Sequence, residues 1–84
     1  MYSAIPLEVL KFVWILDGSK VRYSERGKEV EGRCTVEIVV DKNHRGDIVP
    51  GCYIALYDEQ GSIIHDANYE NPHISDFRNY TVIE

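Results

Sequence analysis

Cys34-Thr-Val-Glu-Ile-Val-Val-Asp41 decides the fold class. Side chains alternate across a strand with period two, so Cys34, Val36, Ile38 and Val40 share one face, while Thr35, Glu37, Val39 and Asp41 share the other. A polar loop at residues 42–47 follows, and Pro50-Gly51 opens a second alternating stretch. There Cys52, Ile54 and Leu56 oppose Tyr53, Ala55 and Tyr57. Asp58-Glu-Gln-Gly61 fits a type I turn with glycine in the left-handed position, leading into a strand at residues 62–65.

The ends of the chain follow the same logic. Residues 11–16, KFVWIL, form a continuous apolar run that stops at Asp17-Gly18. Bulky and β-branched residues before Asp-Gly predict a buried strand entering a hairpin, with residues 20–24 returning. An amphipathic helix over residues 6–16 is the rival, since Pro6 suits a helix start and Leu7, Leu10 and Trp14 share a helical face. Residues 25–32 are polar, charged and bracketed by glycines, which predicts a loop. Residues 66–76 contain Asn68, Asn71 and Pro72, and predict an 11-residue surface loop of the length that often carries function. Residues 77–83 close the chain as a strand at a sheet edge. The expected architecture is all-β, or β-rich α+β: a small antiparallel five- to six-stranded barrel or sandwich, SH3-like or OB-like.

At 84 residues the chain predicts one domain, 1–84, with a thin core. A hydrophobic fraction of 44 % argues against disorder. Residues 1–4, Met-Tyr-Ser-Ala, contain no basic leader, and the apolar stretch behind them is broken by Glu8 and Lys11. Neither a signal peptide nor a membrane span is expected, which makes the cytoplasm the default compartment. Two cysteines are too few for a disulfide framework and sit in phase with apolar strand faces, as buried thiols do.

Charge divides along the chain. Residues 1–45 carry eight basic and seven acidic side chains; residues 46–84 carry Arg78 alone against seven acids. The net charge of −5 argues against non-specific affinity for nucleic acid or anionic lipid. The basic residues Lys20, Arg22, Arg26, Lys28 and Arg33 are interspersed with Glu25, Glu29 and Glu31, so no basic nucleic-acid face is expected. The acids instead gather in the late turns.

Chemistry-bearing motifs are sparse. His65, Asp66, His73 and Asp76 lie within 12 positions but lack zinc-ligand spacing. No Gly-x-Ser-x-Gly elbow or phosphate-cradling glycine loop occurs. A domain this small has little room for a deep pocket. A non-enzymatic protein without metal or cofactor is expected.

The expected contact surface combines carboxylates and aromatics: Asp58, Glu59, Asp66, Tyr69, Glu70, His73, Asp76 and Phe77. Its expected partner is a protein with a basic surface, with carboxylates steering encounter and aromatics anchoring it. By analogy of size and charge, such a chain resembles stoichiometric inhibitors, including those with which viruses block host nucleic-acid-handling or defence machinery. The alternative is an oligomeric small-molecule or nucleotide binder, with Arg22, Arg26 or Lys28 facing an anion and tyrosines stacking on a ring. A homo-oligomer that docks the basic half on the acidic half is a further expectation.

Overall fold

The structure, a computed structural model, describes residues 5–42 and 44–84, without the side chain of Asp41. Residues 1–4, on which the expectation about a leader falls, and Asn43, in the expected loop at 42–47, lie outside the described residues. One helix, α1 (Leu7–Leu16), precedes five strands: β1 (Lys20–Glu25), β2 (Lys28–Lys42), β3 (Ile48–Tyr57), β4 (Ile63–Glu70) and β5 (Tyr80–Val82). A one-turn 3-10 helix at Ile74–Phe77 joins the last two strands. The strands form a single antiparallel sheet in the order β4-β3-β2-β1-β5, mostly β as expected. It is not a closed barrel, since β4 and β5 are its two edges.

The alternation expected at residues 34–40 is borne out in burial only as far as Val36; Ile38 and Val40, farther along β2, are 42 % and 63 % exposed. Cys34 and Val36 are buried on the inner face of β2, with Cys52, Ile54 and Leu56 beside them on β3. Val21, Tyr23, Phe77, Tyr80, Val9 and Leu16 complete the core. The turn at 58–61 is also as expected. Gly61 has φ +84°, and Asp58 Oδ1 accepts the backbone N–H groups of Gln60 and Ser62.

Residues 11–16 are helix, not strand, which corrects the expected first hairpin. An apolar run does not distinguish the two, and tertiary packing decides. Val9, Val13 and Leu16 fall on one helical face over the sheet, while Pro6 O accepts the first helical N–H bonds, from Val9 and Leu10. Asp17-Gly18 ends the helix: Gly18 takes φ +82°, and Asp17 Oδ1 accepts the Val36 backbone N–H at 3.0 Å, tying the helix exit to β2.

Residues 25–32 are not a loop. A two-residue turn at Arg26-Gly27, both with positive φ, joins β1 directly to β2. The polar residues mislead because Glu29 and Glu31 face outward opposite β1, where Arg22 Nε meets Glu31 at 2.9 Å and Glu29 at 3.7 Å. Val30 packs inward.

The 11-residue loop at 66–76 is likewise overturned. β4 runs to Glu70, with His65, Ala67 and Tyr69 opposite the inward Leu56, Ile54 and Cys52. Alternation is present but muted, because the inward residues are a histidine, an alanine and a tyrosine rather than aliphatics. The final strand shrinks to Tyr80–Val82, pairs with β1 and forms an edge.

Pro50 is tolerated inside β3 because its carbonyl, and therefore the side of its missing N–H, faces Asn71 rather than the β2 ladder. Beyond Gly51, where pairing with β4 ends, β2 and β3 continue as a two-stranded arm.

Candidate functional site

The outer face of the sheet, opposite α1, gathers part of the expected contact surface. Register sets three adjacent rows across β2, β3 and β4: Thr35–Ala55–Asp66, Glu37–Tyr53–Asn68 and Val39–Gly51–Glu70. With strands about 4.8 Å apart, the carboxylates of Glu37, Asp66 and Glu70 surround Tyr53 within about two strand spacings. The Tyr53 hydroxyl donates to Asp66 Oδ2 at 2.9 Å, and this bond to a carboxylate raises the phenol pKa above its ordinary value.

A groove of about 320 Å³ opens beside Tyr53, lined by Val39, Val49, Gly51, Asn68 and Glu70, with Lys42 at one end. Gly51 keeps the floor low: a Cβ there would lie 3.1 Å from Val39 Cγ2 and 3.2 Å from the Tyr69 carbonyl oxygen. Ala55, fully buried though on the outer face, likewise adds no bulk. An apolar floor beside a phenol ring and carboxylates can take the stem and head of a lysine or arginine: the methylenes lie on the floor, and the cation meets the ring and the acids.

The other expected contact residues lie elsewhere. Asp58 and Glu59 sit at the β3–β4 turn beside Lys20, Arg33 and Glu84, in a mixed-charge depression. Asp58 is committed to its own turn. His73 and Asp76 cap the 3-10 helix, Asp76 Oδ2 accepting the His73 N–H at 2.8 Å and His73 Nδ1 accepting the Ser75 N–H at 3.2 Å. Tyr69 and Phe77 face inward. Phe77 is 1 % exposed and stacks on Phe12 of α1 with ring centroids 5.5 Å apart, so it presents no surface to a partner.

His65 and Asp66 point to opposite faces of β4 and do not converge with His73 and Asp76. The His65 ring stacks on Tyr23, centroids 3.8 Å apart, and its Nε2 lies 2.8 Å from the Tyr80 hydroxyl. Tyr80 and Tyr69 hydroxyls are 3.0 Å apart, and Tyr23 donates to Glu25. The sheet thus coils until side chains of β4 meet those of β1 and β5. Burial, with Lys28 adding to it, pushes the His65 pKa below its ordinary value. The bond to Glu25 pushes the Tyr23 phenol up to about 12, and burial pushes Tyr80 far up.

The thiols are buried and free: burial raises Cys34 to about 12 and Cys52 to about 11. Cys52 pairs in register with Ile38, well along the strand from Cys34, which pairs with Leu56. Arg22, offered above to an anion, is held by Glu31 and Glu29, and Arg33 Nη1 donates to the Gly18 carbonyl. Among the described residues, no helix is long and apolar enough to cross a membrane.

Sequence reasoning missed Val39, Gly51 and Tyr53 as groove residues, and Glu37 as the acid across from Tyr53. Their outward parity was legible, but not the register that sets them beside Asp66 and Glu70. No protein-family model matches the chain, and neither the curated proteins nor the solved structures contain a match.

Proposed function

We propose that this chain is a non-enzymatic protein-binding module that receives a basic segment of a partner protein on the outer face of its sheet. The observation that carries this reading is the groove beside Tyr53, lined by Val39, Val49 and Glu70 with Lys42 at one end, together with Glu37 and Asp66 next to Tyr53 on the same outer face of the sheet. A lysine or arginine inserted there exchanges water for charge-assisted bonds while its stem covers Val39 and Val49. The net charge of −5 adds long-range attraction for a basic partner and accelerates encounter. A module without chemistry of its own acts by occupancy. If the segment it covers is the partner's working surface, the result is stoichiometric inhibition.

Titration with a lysine- and arginine-rich peptide, followed by amide NMR, tests the reading. Saturable shifts at Glu37, Gly51, Tyr53, Asn68 and Glu70, weakening as salt rises, are expected. Reversing Asp66 and Glu70 to lysine removes them; the strand fold should survive, since both side chains are exposed. Shifts centred on the 58–59 turn, or binding indifferent to the reversal, would overturn the assignment.

A further inference from the structure

Helix α1 is apolar nearly all round: of LEVLKFVWIL only Glu8 and Lys11 are charged. A helix with that pattern is ordinarily covered on every side. Here one side packs on the sheet through Val9, Val13 and Leu16. The other leaves Leu7 67 %, Leu10 41 %, Trp14 87 % and Ile15 53 % exposed. At 100° per residue, Leu7, Leu10 and Trp14 form one stripe along the helix, flanked on one side by Lys11, Ile15 and Glu8.

We propose that this stripe is the interface of a two-fold homodimer in which α1 packs antiparallel against α1 of a second copy. Three observations favour a second copy. The first is area. The four side chains, with the stems of Glu8 and Lys11 between them, offer about 500–700 Å² per copy, so two copies bury about 1,000–1,400 Å², where specific interfaces begin. The second is charge within the stripe. A two-fold axis midway between Leu10 and Lys11 sets Leu7 against Trp14 of the other copy, and leaves Glu8 about 3 Å along the axis from the other copy's Lys11. Both charged residues lie on the same flank, and the two-fold keeps those flanks on one side, so the pairing forms twice. The third is charge across the molecule. In a chain of net −5, α1 carries one acid and one base, making it a neutral face on which two copies can approach. This pairing rests on none of the groove residues, and differs from docking of a basic half on an acidic half in that apolar burial carries it and salt screens only the flanking Glu8–Lys11 pairs.

Sedimentation velocity of the full chain from ~1 to ~200 µM tests it, a range that covers the weak association typical of interfaces at the small end of the specific class. A monomer–dimer equilibrium is expected, weakened only slightly in high salt, with Trp14 fluorescence shifting to the blue as the dimer fills. Trp14→Lys should raise the dissociation constant more than ~100-fold, since two central aromatics leave the interface at once. Circular dichroism should show the fold intact because Trp14 is exposed, and Leu10→Lys provides a second variant. Glu8→Lys alone should weaken the dimer, and Glu8→Lys with Lys11→Glu should restore it. A monomer throughout the range, a dimer unaffected by either lysine variant, or a monomer that binds phosphatidylcholine vesicles through Trp14 would each overturn the proposal.

Discussion

Replacing Phe77 by alanine sets the core role that the structure gives this residue against the partner-anchor role expected from the sequence. The ring is 1 % exposed, lies nearly parallel to Phe12 at 5.5 Å, and has Tyr69 and Tyr80 within 6.0 and 6.5 Å. Removing it deletes contacts to α1 above and to β4 and β5 below. Both walls belong to elements fixed by other bonds, so the void cannot collapse fully. The cost should fall in the upper part of the range for Phe→Ala in cores, about 4–5 kcal/mol. A chain of 84 residues has about 4–13 kcal/mol in all. With a urea slope of about 1 kcal/mol per molar, the unfolding midpoint should drop by about 4 M or the variant should not fold. Phe77→Leu, which retains most of the apolar volume, should cost about 1–2 kcal/mol and keep groove binding intact. Paired with Phe12→Ala in a double-mutant cycle, Phe77 should show a coupling of about 0.5–1.5 kcal/mol from the stacked rings. A loss below about 1 kcal/mol for Phe77→Ala, together with loss of peptide binding, would refute the packing argument and restore Phe77 as a surface anchor.

Stability should also respond to pH through His65. Its folded pKa is held below 6.5 by burial and by Lys28, against the smaller opposing pull of Asp66 and Glu25, so the unfolded chain binds the proton more readily. The resulting stability is complete above the unfolded pKa and is lost as pH falls below about 6.5. Thermal melts between pH 7.5 and 5 should show the decline, and His65→Gln should flatten that part of the profile; an unchanged slope would contradict it. Gly32→Ala should cost about 1–3 kcal/mol, because a Cβ there runs into the Tyr57 backbone carbonyl and meets Ile64 Cδ1 at 3.1 Å. Chemical denaturation reads it, and a neutral result would show that β3 yields locally. Cys34 and Cys52, with thiol pKa values of about 12 and about 11, should resist a thiol reagent at pH 8 and react only after unfolding. Labelling of either at the native rate of a free thiol would place it at the surface.

What was legible in the chain followed the chemistry of its inward residues. β2 and β3 were readable because their inner faces hold aliphatics and cysteine, as at Cys34, Val36, Ile54 and Leu56. β4 was readable only at its start, residues 62–65, because its inner residues His65, Ala67 and Tyr69 rely on contacts with Tyr23, Tyr80 and Cys52, which no local pattern discloses. The apolar run at residues 11–16 was ambiguous in principle. Apolar side chains on two faces fit a buried strand, and they equally fit a helix whose second face awaits cover. The stripe of Leu7, Leu10 and Trp14, noted as the mark of a helix, is its outer side rather than its core side. The groove was half legible. Asp66 and Glu70 were picked out by charge, whereas Tyr53 and Glu37 join them only through register, a long-range property.

The two proposed surfaces lie on opposite faces of one sheet, and that arrangement has a consequence for function. Pairing through α1 turns the helix-bearing faces toward each other and leaves both Tyr53 grooves facing away from the dimer. Each dimer then presents two equivalent Tyr53 grooves. A single groove of this size gives modest affinity for one basic side chain and its neighbours. Two grooves engaging a repeated basic surface turn the second contact into an intramolecular event, and avidity can exceed either affinity by about 10²–10⁴ without a new contact. The thin core of an 84-residue chain does not limit such a design. Dimerisation draws on apolar surface that the fold already exposes, so it adds stability to the helix while it doubles the binding face. Trp14→Lys therefore has a second expected readout: unchanged affinity for a single basic peptide, but weakened retention on a densely basic surface. Equal retention of variant and parent would show that the grooves work one at a time.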